Sequence, residues 1–419
     1  MKVLLVGAGG QGGPCASILA RDNDVSEIVL ADINLEAAKQ VAARVRGDKI
    51  APVKVDAGNV NEVVRAAKGA DVIINLLPPD CNQNIMEAAQ RSGVHYVDTS
   101  TGNFLLGQIM ENRPLPFDKE FKDAGLTALF DCGHVPGISN LVARFLCDKL
   151  DTVDKVRILL GIRIMNPSKE IASGWTTAWS PAGNLSVMAR EPITYEDGQY
   201  KKYPIFTSPE EYTFPAPVGR ILLTLRGHPE AITLPHFIGK GMKTCEFKHP
   251  VDPLVGAFVK MGFASPEAID VKGVKVVPKD VLLKLVPPPV NGFLAEDETS
   301  SSQPPQFQPT ALSEVMCTLV EAYGTQSGEK VQYTAWHFHG PNAMAGLAPE
   351  ERINAYRRLG TNLGDVAFPA VVGAKLCVRG AADKGVIFPE CLDPKVFFGT
   401  MAEMGAPMRL HETVSRVLK

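Results

Sequence analysis

The sequence lacks the features that direct a protein to nucleic acid, to a disulfide scaffold or to a zinc ribbon. Its formal charge is only -3 and no basic tail is present, so nothing attracts a polyanion over the whole molecule. Its 8 cysteines are scattered without a C-x-x-C pair, which argues against a zinc ribbon, a redox dithiol or a disulfide framework. We therefore expect no nucleic-acid partner and mostly buried, reduced thiols.

Long uninterrupted apolar runs are also missing. The apolar start of the chain is broken by glycines and followed by Asp22 and Asp24, so neither a signal peptide nor a membrane span is expected. These observations predict a cytoplasmic protein without a membrane partner. The 419 residues, 45% hydrophobic and 21% charged, are typical of a globular chain with two or more domains.

The first 20 residues carry the strongest signal that is present. The short apolar run Lys2–Val6 is typical of a strand buried in a parallel sheet. Gly7, Gly9 and Gly12 follow in G-x-G-x-x-G spacing and lead into helix-forming residues. In a strand–turn–helix unit these glycines permit the turn, the approach of a pyrophosphate and close helix packing. The pattern predicts a dinucleotide-binding site.

An acidic residue supports this interpretation. A second apolar run, residues 27–31, ends in Asp32, where a carboxylate that binds the adenosine ribose is expected. A carboxylate there repels a 2′-phosphate, and Ile33 and Asn34 supply no arginine to bind one. We therefore expect NAD rather than NADP as the cofactor. The alternative is a glycine-rich turn with Asp32 as the cap of the next helix.

Strands and helices alternate up to about residue 130, which predicts a doubly wound α/β sheet. The predicted strands are residues 2–6, 27–31, 51–55, 72–77, 94–98 and 127–130, and the helices between them include 35–45, 59–68, 82–92 and 116–123. Ligands bind beyond the carboxyl ends of such strands. The residues at these ends include Asp56, Ala57, Asn75, Leu76, Leu77, Pro78, Asp98, Thr99, Ser100 and the turn 131–140.

Two of these strand ends are predicted to contact the cofactor. Asp56 and Ala57 are candidates to touch the adenine, with helix capping by Asp56 as an equal alternative. Asn75, Leu76, Leu77 and Pro78 are expected to pass under the nicotinamide ribose.

The alternation fades after residue 150. Runs 156–164, 221–225 and 331–338 predict antiparallel strands of a second, α+β domain. Helices are predicted at 141–150, 367–379 and 393–404, and the acidic, then Ser/Gln/Pro-rich segment 296–309 is predicted to be a surface loop.

Motifs spread over most of the chain carry a family resemblance. They are GAGGQG with Asp32, the turn 133–140, the segments 179–183 and 219–243, GVKVVP at 273–278, and the segment 385–390. In these motifs the chain resembles the saccharopine dehydrogenase-like amino-acid oxidoreductases, and it looks nearest to their lysine 6-dehydrogenase-like members. The resemblance implies a Rossmann domain made of residues 1–135 with 365–419, an inserted substrate domain of residues 136–364, and a homodimer.

The resemblance also implies roles for individual residues. Gly10 and Gln11 would complete the phosphate turn, and Thr99 and Ser100 would touch substrate. Trp179 would line the substrate pocket, with a core tryptophan as the alternative, and His134 and Ser180 would contact the cofactor.

Hydride transfer between nicotinamide and a carbon bearing nitrogen requires a proton acceptor and a clamp for charged substrate ends. Asp98 is the candidate ammonium anchor, with turn capping as the alternative. His134 is the candidate proton shuttle, with a hydrogen-bonded bystander as the alternative. Candidates for the carboxylate clamp are Arg226, His228, Lys240 and Lys243, of which Arg226 is preferred because its guanidinium binds a carboxylate with two hydrogen bonds. The resemblance implies that Lys243 and Thr244 lie near another loop that contacts substrate.

His337 and His339 alternate along a predicted strand and would share one face. No cysteine or acid accompanies them at ligand spacing, so an ordinary strand is expected and no metal is predicted.

The combined pattern predicts an NAD-dependent oxidoreductase that acts on a C–N bond of an amino acid or polyamine-like substrate. Oxidative deamination of the lysine 6-dehydrogenase kind is the leading hypothesis. The alternatives are an opine-type reductase that joins an amine to a carbonyl compound, and an NAD-binding sensor without turnover.

Overall fold

The computed structural model describes residues 1–45, 48–164, 175, 180–286, 314–340, 349–361 and 364–416. Within these ranges the chain forms a parallel sheet of seven strands, a mixed sheet of nine strands and a small hairpin. The predicted α/β class with a second α+β unit is confirmed.

The parallel sheet has the strand order β17-β6-β5-β4-β1-β2-β3. Its strands are β1 (Lys2–Val6), β2 (Glu27–Asp32), β3 (Ile50–Lys54), β4 (Val72–Asn75), β5 (His95–Asp98), β6 (Thr127–Leu129) and β17 (Gly385–Ile387). From β6 to β3 this is the order of a doubly wound dinucleotide fold. The six predicted strands are therefore present, each close to its predicted bounds.

Helices cover both faces of this sheet. They are α1 (Gly12–Arg21), α2 (Leu35–Val45), α3 (Val60–Ala66), α4 (Asn82–Ser92), α5 (Asn103–Met110), α6 (Asp118–Asp123), α7 (Ile138–Cys147), α13 (Ala367–Val378) and α14 (Pro394–Glu403). Helix α5 is the one of these that the sequence did not predict.

The all-apolar character of β1 follows from its position in the middle of the sheet. Val3 and Leu5 pack in one hydrophobic cluster with α1 and α13, whereas Leu4 and Val6 pack in a second cluster with α4. Both faces of β1 are therefore removed from water. Burial of apolar surface of this kind is the main favourable term in protein folding.

The mixed sheet has the strand order β10-β11-β12-β7-β15-β16-β18, with β8 pairing β12 and β9. Its strands are β7 (Thr152–Ile164), β8 (Ile193–Glu196), β9 (Gln199–Lys202), β10 (Glu210–Thr213), β11 (Arg220–Leu225), β12 (Thr244–Pro250), β15 (Glu314–Gln326), β16 (Glu329–His339) and β18 (His411–Arg416). The small hairpin is β13 (Ile269–Val271) with β14 (Val274–Val276), and the helices of this half are α8 (Pro181–Ala189), α9 (Glu230–Ile238), α10 (Pro253–Lys260), α11 (Pro278–Leu285) and α12 (Pro349–Leu359).

One strand pair of the mixed sheet differs from the expected antiparallel pattern. β12 pairs with β7 in parallel, because the chain returns to the same end of the sheet before β12 begins. The other named neighbours in this sheet pair antiparallel.

The carboxyl-terminal part of the chain contributes to both sheets. β17 pairs with β6, and α13 buries eleven of its residues against the parallel sheet, as the resemblance implied for a returning segment. β18 instead pairs with β16 in the mixed sheet, so the last strand lies outside the first domain that was predicted to include all of residues 365–419. The two-domain division itself stays a prediction.

The segment 296–309, which was predicted to be a surface loop, lies outside the described residues. Among the helices that the structure does describe, none combines the length and the apolar composition needed to cross a bilayer.

Candidate active site

The glycine turn after β1 has the geometry of a phosphate cradle. Gly7 has a φ of +105°, and a Cβ atom on Gly12 would lie 2.0 Å from the Gly7 carbonyl oxygen, so both positions require glycine. A Cβ atom on Gly9 would meet nothing within 4 Å, which leaves open space above the turn. No side chain caps the start of α1, and the buried Gln11 Oε1 has no hydrogen-bond partner among the described residues. The N–H groups of Gly12 and Gly13 donate to the Gly9 carbonyl at 3.1 and 3.5 Å, and Pro14 has no N–H, so a bound phosphate would face the backbone of the turn rather than the first residues of α1.

Asp32 lies beside this turn at the end of β2. Its Oδ2 accepts a hydrogen bond from the Ala8 N–H, and its Oδ1 accepts one from the Asn34 N–H, both at 2.8 Å. The helix-cap alternative is wrong, because Asn34 rather than Asp32 accepts the hydrogen bond from the first-turn N–H of Glu36. The next side chain, Ile33, is 64% exposed and uncharged. The carboxylate is therefore the charged group at the expected ribose position.

Asp56 and Ala57 follow β3 as predicted. Asp56 is exposed, and its Oδ1 accepts a hydrogen bond from the Gly58 N–H at 2.8 Å. The cap of α3 is Asn59, whose side chain accepts from the Asn61 N–H, so Asp56 closes the preceding turn and does not cap the helix. Contact with the adenine stays a prediction.

The segment 75–78 runs alongside the glycine turn. A Cβ atom on Gly7 would lie 3.1 Å from Leu77 Cδ2. The Asn75 side chain is turned into the protein, where it donates to Asn82 Oδ1 at 2.8 Å and accepts from the Leu77 N–H at 3.0 Å. The Asn75 side chain is therefore not available to a ribose, and contact of residues 75–78 with the cofactor stays a prediction.

Asp98 is enclosed by protein donors. Its Oδ2 accepts hydrogen bonds from Asn82 Nδ2 and Tyr96 Oη, each at 2.8 Å, and its Oδ1 accepts from the backbone N–H groups of Asp131 at 2.8 Å and Ser100 at 3.2 Å. The side chain is only 1% exposed, and this burial raises its pKa to about 8. The structure places the carboxyl group as a support for the turns after β5 and β6, because no oxygen remains free for a substrate ammonium group.

The turn after β6 is held in shape by glycine. Gly137 has a φ of +132°, and a Cβ atom there would lie 1.9 Å from the Gly133 carbonyl oxygen. A Cβ atom on Gly133 would lie 3.5 Å from Thr99 Cβ, so the turn packs against the half-buried Thr99 predicted to touch substrate. The Gly137 N–H donates to Asn140 Oδ1 at 3.0 Å, which ties the turn to the first residues of α7.

His134 in this turn meets two histidines that lie about two hundred positions later. Its Nε2 is 2.7 Å from His337 Nε2, and its ring stacks on His339 with a centroid distance of 3.9 Å. Burial lowers the pKa of His134 to about 4, so the ring is neutral at neutral pH. His337 and His339 share a strand face as predicted, but the contact with His134 depends on tertiary structure and was not anticipated.

A buried acidic pair links the turn to the second half of the chain. Glu230 is fully buried, with its Oε1 accepting from Ser139 Oγ at 2.7 Å and its Oε2 in contact with His228 Nδ1. Glu390 Oε2 accepts from Asn140 Nδ2 at 2.9 Å, and Glu390 Oε1 has no partner among the described residues. Burial raises the pKa of Glu390 to about 7. Neither Glu230 nor Glu390 was predicted as a site residue from the sequence. The one indication was that both lie within motifs that carry the family resemblance.

Arg226 is a buried cation without an acidic partner in the described part of the chain. Its side chain is 2% exposed, its Nη2 donates to the Pro250 carbonyl at 3.2 Å, and its Nε makes no hydrogen bond. The guanidinium lies 5.0 Å from the Phe206 ring centroid. Burial lowers its pKa to about 10, which is a measure of how unfavourable the unpaired charge is. Phe247 links Arg226 to His228. The Arg226 backbone N–H donates to the Phe247 carbonyl, and the His228 ring stacks on the Phe247 ring with a centroid distance of 4.0 Å.

Lys243 and Thr244 lie at the other end of β12. The Lys243 side chain is 65% exposed and pairs with Asp154 at 3.1 Å. Lys243 lies four positions before Phe247 along the extended chain, about 13 Å at the usual rise. The Lys240 Nζ donates to the Cys147 and Leu150 carbonyls at 2.9 and 3.0 Å. The structure therefore brings Arg226 and His228 together but brings neither Lys240 nor Lys243 to them, which corrects the predicted carboxylate clamp. Substrate contact by Thr244 stays a prediction.

Ser180 and Trp179 complete the predicted set. Ser180 caps α8, with its side chain accepting from the Gly183 N–H at 3.1 Å. Trp179 lies outside the described residues. A cofactor contact by Ser180 stays a prediction.

The doubly wound sheet, the glycine turn and Asp32 define an NAD(P)-dependent dehydrogenase. Comparison with known proteins gives the family. Residues 3–129 match the saccharopine dehydrogenase NADP binding domain, and residues 133–406 match the saccharopine dehydrogenase C-terminal domain. The chain belongs to the saccharopine dehydrogenase family.

Individual relatives match over nearly the whole chain. Carboxynorspermidine synthase of Vibrio cholerae is 27% identical over 431 residues, covering 97% of this chain and 95% of the relative. Carboxyaminopropylagmatine dehydrogenase of Synechocystis is 24% identical, covering 99% of this chain and 98% of the relative. Saccharopine dehydrogenase [NADP(+), L-glutamate-forming] of Pyricularia oryzae is 26% identical but covers 47% of this chain and 42% of the relative.

Two solved structures share the fold. Saccharopine dehydrogenase (L-Glu forming) from Saccharomyces cerevisiae aligns with a TM-score of 0.65 at 15% identity and covers 99% of both chains. Homospermidine synthase from Legionella pneumophila, solved in complex with NAD, aligns with a TM-score of 0.65 at 11% identity and covers 99% of this chain and 91% of that one. The predicted homodimer stays a prediction.

Proposed function

We propose that the protein joins an amine to a carbonyl compound bearing an amino-acid carboxylate, with NAD(P)H as reductant, to give a carboxylated polyamine. This is the opine-type alternative of the sequence analysis. Two relatives that match almost the full chain are named for carboxynorspermidine and for carboxyaminopropylagmatine. Both names denote a polyamine that carries a carboxyl group.

The observation that carries the proposal is the buried guanidinium of Arg226, which has no acidic partner in the described part of the chain. An isolated charge inside a protein is costly unless an opposite charge joins it, and a carboxylate is the anion that a guanidinium binds with two hydrogen bonds. A polyamine without a carboxyl group would give Arg226 no partner. A carboxylated polyamine supplies one.

The buried acids suit the other end of such a molecule. Glu230 and Glu390 both accept hydrogen bonds from the first turn of α7, from Ser139 and Asn140. The Glu390 Oε1 atom has no hydrogen-bond partner in the described ranges of the chain. Such an oxygen can accept a hydrogen bond from a substrate ammonium group. We assign ammonium recognition to this pair in place of Asp98.

The proposed chemistry has two steps. The amine and the carbonyl carbon form an imine and release water, and the imine carbon then receives a hydride while its nitrogen gains a proton, which gives a secondary amine and NAD(P)+. The cofactor supplies the hydride when bound, and Gly7, Gly9, Gly12 and Asp32 would hold its phosphates and ribose. The His228–Glu230 contact places an imidazole beside Arg226 as a candidate to move the proton.

We further propose that NAD(H) is preferred over NADP(H). Asp32 presents a negative charge at the ribose position, and neither Ile33 nor Asn34 offers a positive charge for a 2′-phosphate. Calorimetric titration with NADH and NADPH tests this preference. Equal or tighter binding of NADPH would contradict it.

The activity test mixes the purified protein with NADH, an amino-acid semialdehyde and a diamine, and follows the absorbance of reduced nicotinamide. We expect oxidation of NADH only when both carbon substrates are present. A matched reaction with an aldehyde that lacks the carboxylate should be much slower, because Arg226 then has no partner. Equal rates with both aldehydes would contradict the role of Arg226.

Two further assays on the same purified protein test oxidative deamination and the cofactor-sensor alternative. Incubation with NAD and lysine tests oxidative deamination, which would produce reduced cofactor without any carbonyl compound. Tight NADH binding with no turnover in either direction would instead identify a cofactor sensor.

A further inference from the structure

Three histidines from two distant parts of the chain form one buried cluster. His134 comes from the turn after β6, and His337 and His339 come from one face of β16, because alternate strand residues point the same way. One ring nitrogen from each lies within 4.8 Å of the others. His337 is 0% exposed and His339 is 3% exposed.

The hydrogen-bonding capacity of this cluster is not met by the described residues. His134 Nε2 and His337 Nε2 contact each other at 2.7 Å, and His339 Nε2 shares a hydrogen bond with Thr318 Oγ1 at 2.9 Å. The buried Nδ1 atoms of His337 and His339 have no hydrogen-bond partner among the described residues. Each neutral imidazole offers one lone pair, so a ligand that accepts lone pairs from several rings at once would satisfy the site.

Asp365 supports the cluster from the outside. Its carboxylate Oδ2 lies 3.9 Å from His339 Nδ1 and accepts the Gly340 N–H at 2.6 Å, and its backbone hydrogen-bonds to the His134 ring. Backbone and carboxylate partners of this kind orient metal-binding imidazoles in proteins. A cavity of about 30 Å³ is lined by His134, His337 and Asp365, which is room for a water molecule.

We propose that His134, His337 and His339 bind one divalent first-row transition ion, of which Zn²⁺ is the best fit, with a water held by Asp365 in the fourth position. Three imidazoles and one water are a common tetrahedral set for zinc. Ligand nitrogens about 2.0–2.1 Å from a tetrahedral ion lie about 3.3 Å apart. The rings of His134 and His337 would therefore move apart by roughly half an ångström as the ion replaces their shared hydrogen.

The ion would join the turn after β6 to β16 and hence the parallel sheet to the mixed sheet. The sequence analysis predicted no metal because no cysteine or acid accompanies His337 and His339 at ligand spacing, whereas the third histidine, His134, lies 203 positions from His337. The site does not depend on the proposed substrate, so its test does not use turnover.

The test uses full-length protein without a histidine tag. After treatment with a chelator and dialysis, we expect Zn²⁺ or Co²⁺ to bind with one ion per chain by elemental analysis. Co²⁺ should give the intense visible absorption of tetrahedral coordination. Zn²⁺ should also raise the melting temperature of the chelated protein.

The double variant His337→Gln/His339→Gln should lose the bound ion, the Co²⁺ absorption and the thermal shift. His236→Gln is the matched control, because His236 is an exposed histidine on α9 and should keep all three. If the double variant does not fold, His134→Ala in the half-buried turn provides the same comparison. Absence of stoichiometric binding to the wild-type protein, or undiminished binding in the variants, would overturn the proposal.

Discussion

Replacing Arg226 with methionine should change stability and substrate binding in opposite directions. Arg226 is 2% exposed, and among the residues that the structure describes its guanidinium has one hydrogen bond, to the Pro250 carbonyl. Methionine fills a similar volume with an unbranched apolar chain. The variant therefore removes a buried charge without opening a large cavity.

The magnitude follows from the pKa of Arg226. Burial lowers this pKa from 12.5 to about 10, so keeping the charged form inside the folded protein costs about 3 kcal/mol. Loss of the contact with Phe206 removes about 1 kcal/mol of cation–π attraction. We expect Arg226→Met to raise the free energy of unfolding at neutral pH by about 2 kcal/mol, in line with other replacements of buried charges by apolar groups.

Substrate binding should weaken at the same time. Loss of the charged hydrogen bonds to a substrate carboxylate is worth about 3 kcal/mol, which corresponds to roughly a hundredfold rise in KM. The carboxylate is remote from the hydride, so kcat should change much less than KM. Denaturant unfolding and steady-state kinetics measure the two effects.

Arg220→Met is the matched control. The Arg220 side chain is 69% exposed and pairs with Glu211 on the surface, so its replacement should change stability by less than about 0.5 kcal/mol and leave KM unchanged. The reasoning is refuted if Arg226→Met is less stable than wild type, or if it retains the wild-type KM.

Three further substitutions test the glycine turn, a buried acid and the strand-end network. Gly12→Ala places a Cβ atom 2.0 Å from the Gly7 oxygen, so calorimetry should show at least about tenfold weaker NADH binding, and denaturation a loss of about 1–3 kcal/mol. Burial raises the pKa of Glu390 from 4.5 to about 7, so the folded protein keeps a proton that the unfolded chain releases, and stability falls as pH rises through this range. Between pH 4.5 and a pH above 7, the free energy of unfolding of Glu390→Gln should therefore decrease by about 3 kcal/mol less than that of the wild type. Denaturation at the two pH values measures this difference. Asp98→Asn places an amide donor against the Asn82 Nδ2 donor and should cost about 1–3 kcal/mol in the same assay.

A different experimental outcome would contradict each of these three predictions. Gly9→Ala should weaken cofactor binding with little loss of stability, because its Cβ atom meets open space; equal stability losses in Gly9→Ala and Gly12→Ala would contradict the clash. A wild-type pH dependence that survives in Glu390→Gln would remove Glu390 as its source. Wild-type stability in Asp98→Asn would show that the Asn82 contact is dispensable.

Local patterns predicted the part of the fold that depends on neighbouring residues. The glycine turn and Asp32 were found from sequence because strand, turn, helix and acid follow one another within one βαβ unit. The parallel pairing of β12 with β7 was missed, since pairing direction depends on how the intervening chain returns to the sheet.

The candidate site was predicted less completely for the same reason. Asp98 was expected to face a substrate, but Asn82 and Tyr96 supply donors that enclose it, and no sequence spacing reveals such contacts. His134 and His337 were singled out separately, and their meeting depends on how the two sheets pack. Glu390 lies 250 positions from its partner Asn140.

The return of β17 and α13 to the parallel sheet affects how the protein is made. A Cβ atom on Gly373 of α13 would lie 2.6 Å from Cys132 Sγ, so this helix fits tightly against the turn that carries His134. During translation the edge of β6 stays unpaired until β17 leaves the ribosome, because 258 positions separate Thr127 of β6 from its partner Gly385 (385 − 127). Unpaired strand edges favour aggregation. The nascent chain therefore exposes an unpaired strand edge until β17 has been made, and fragments that stop before β17 should aggregate more readily than the full sequence.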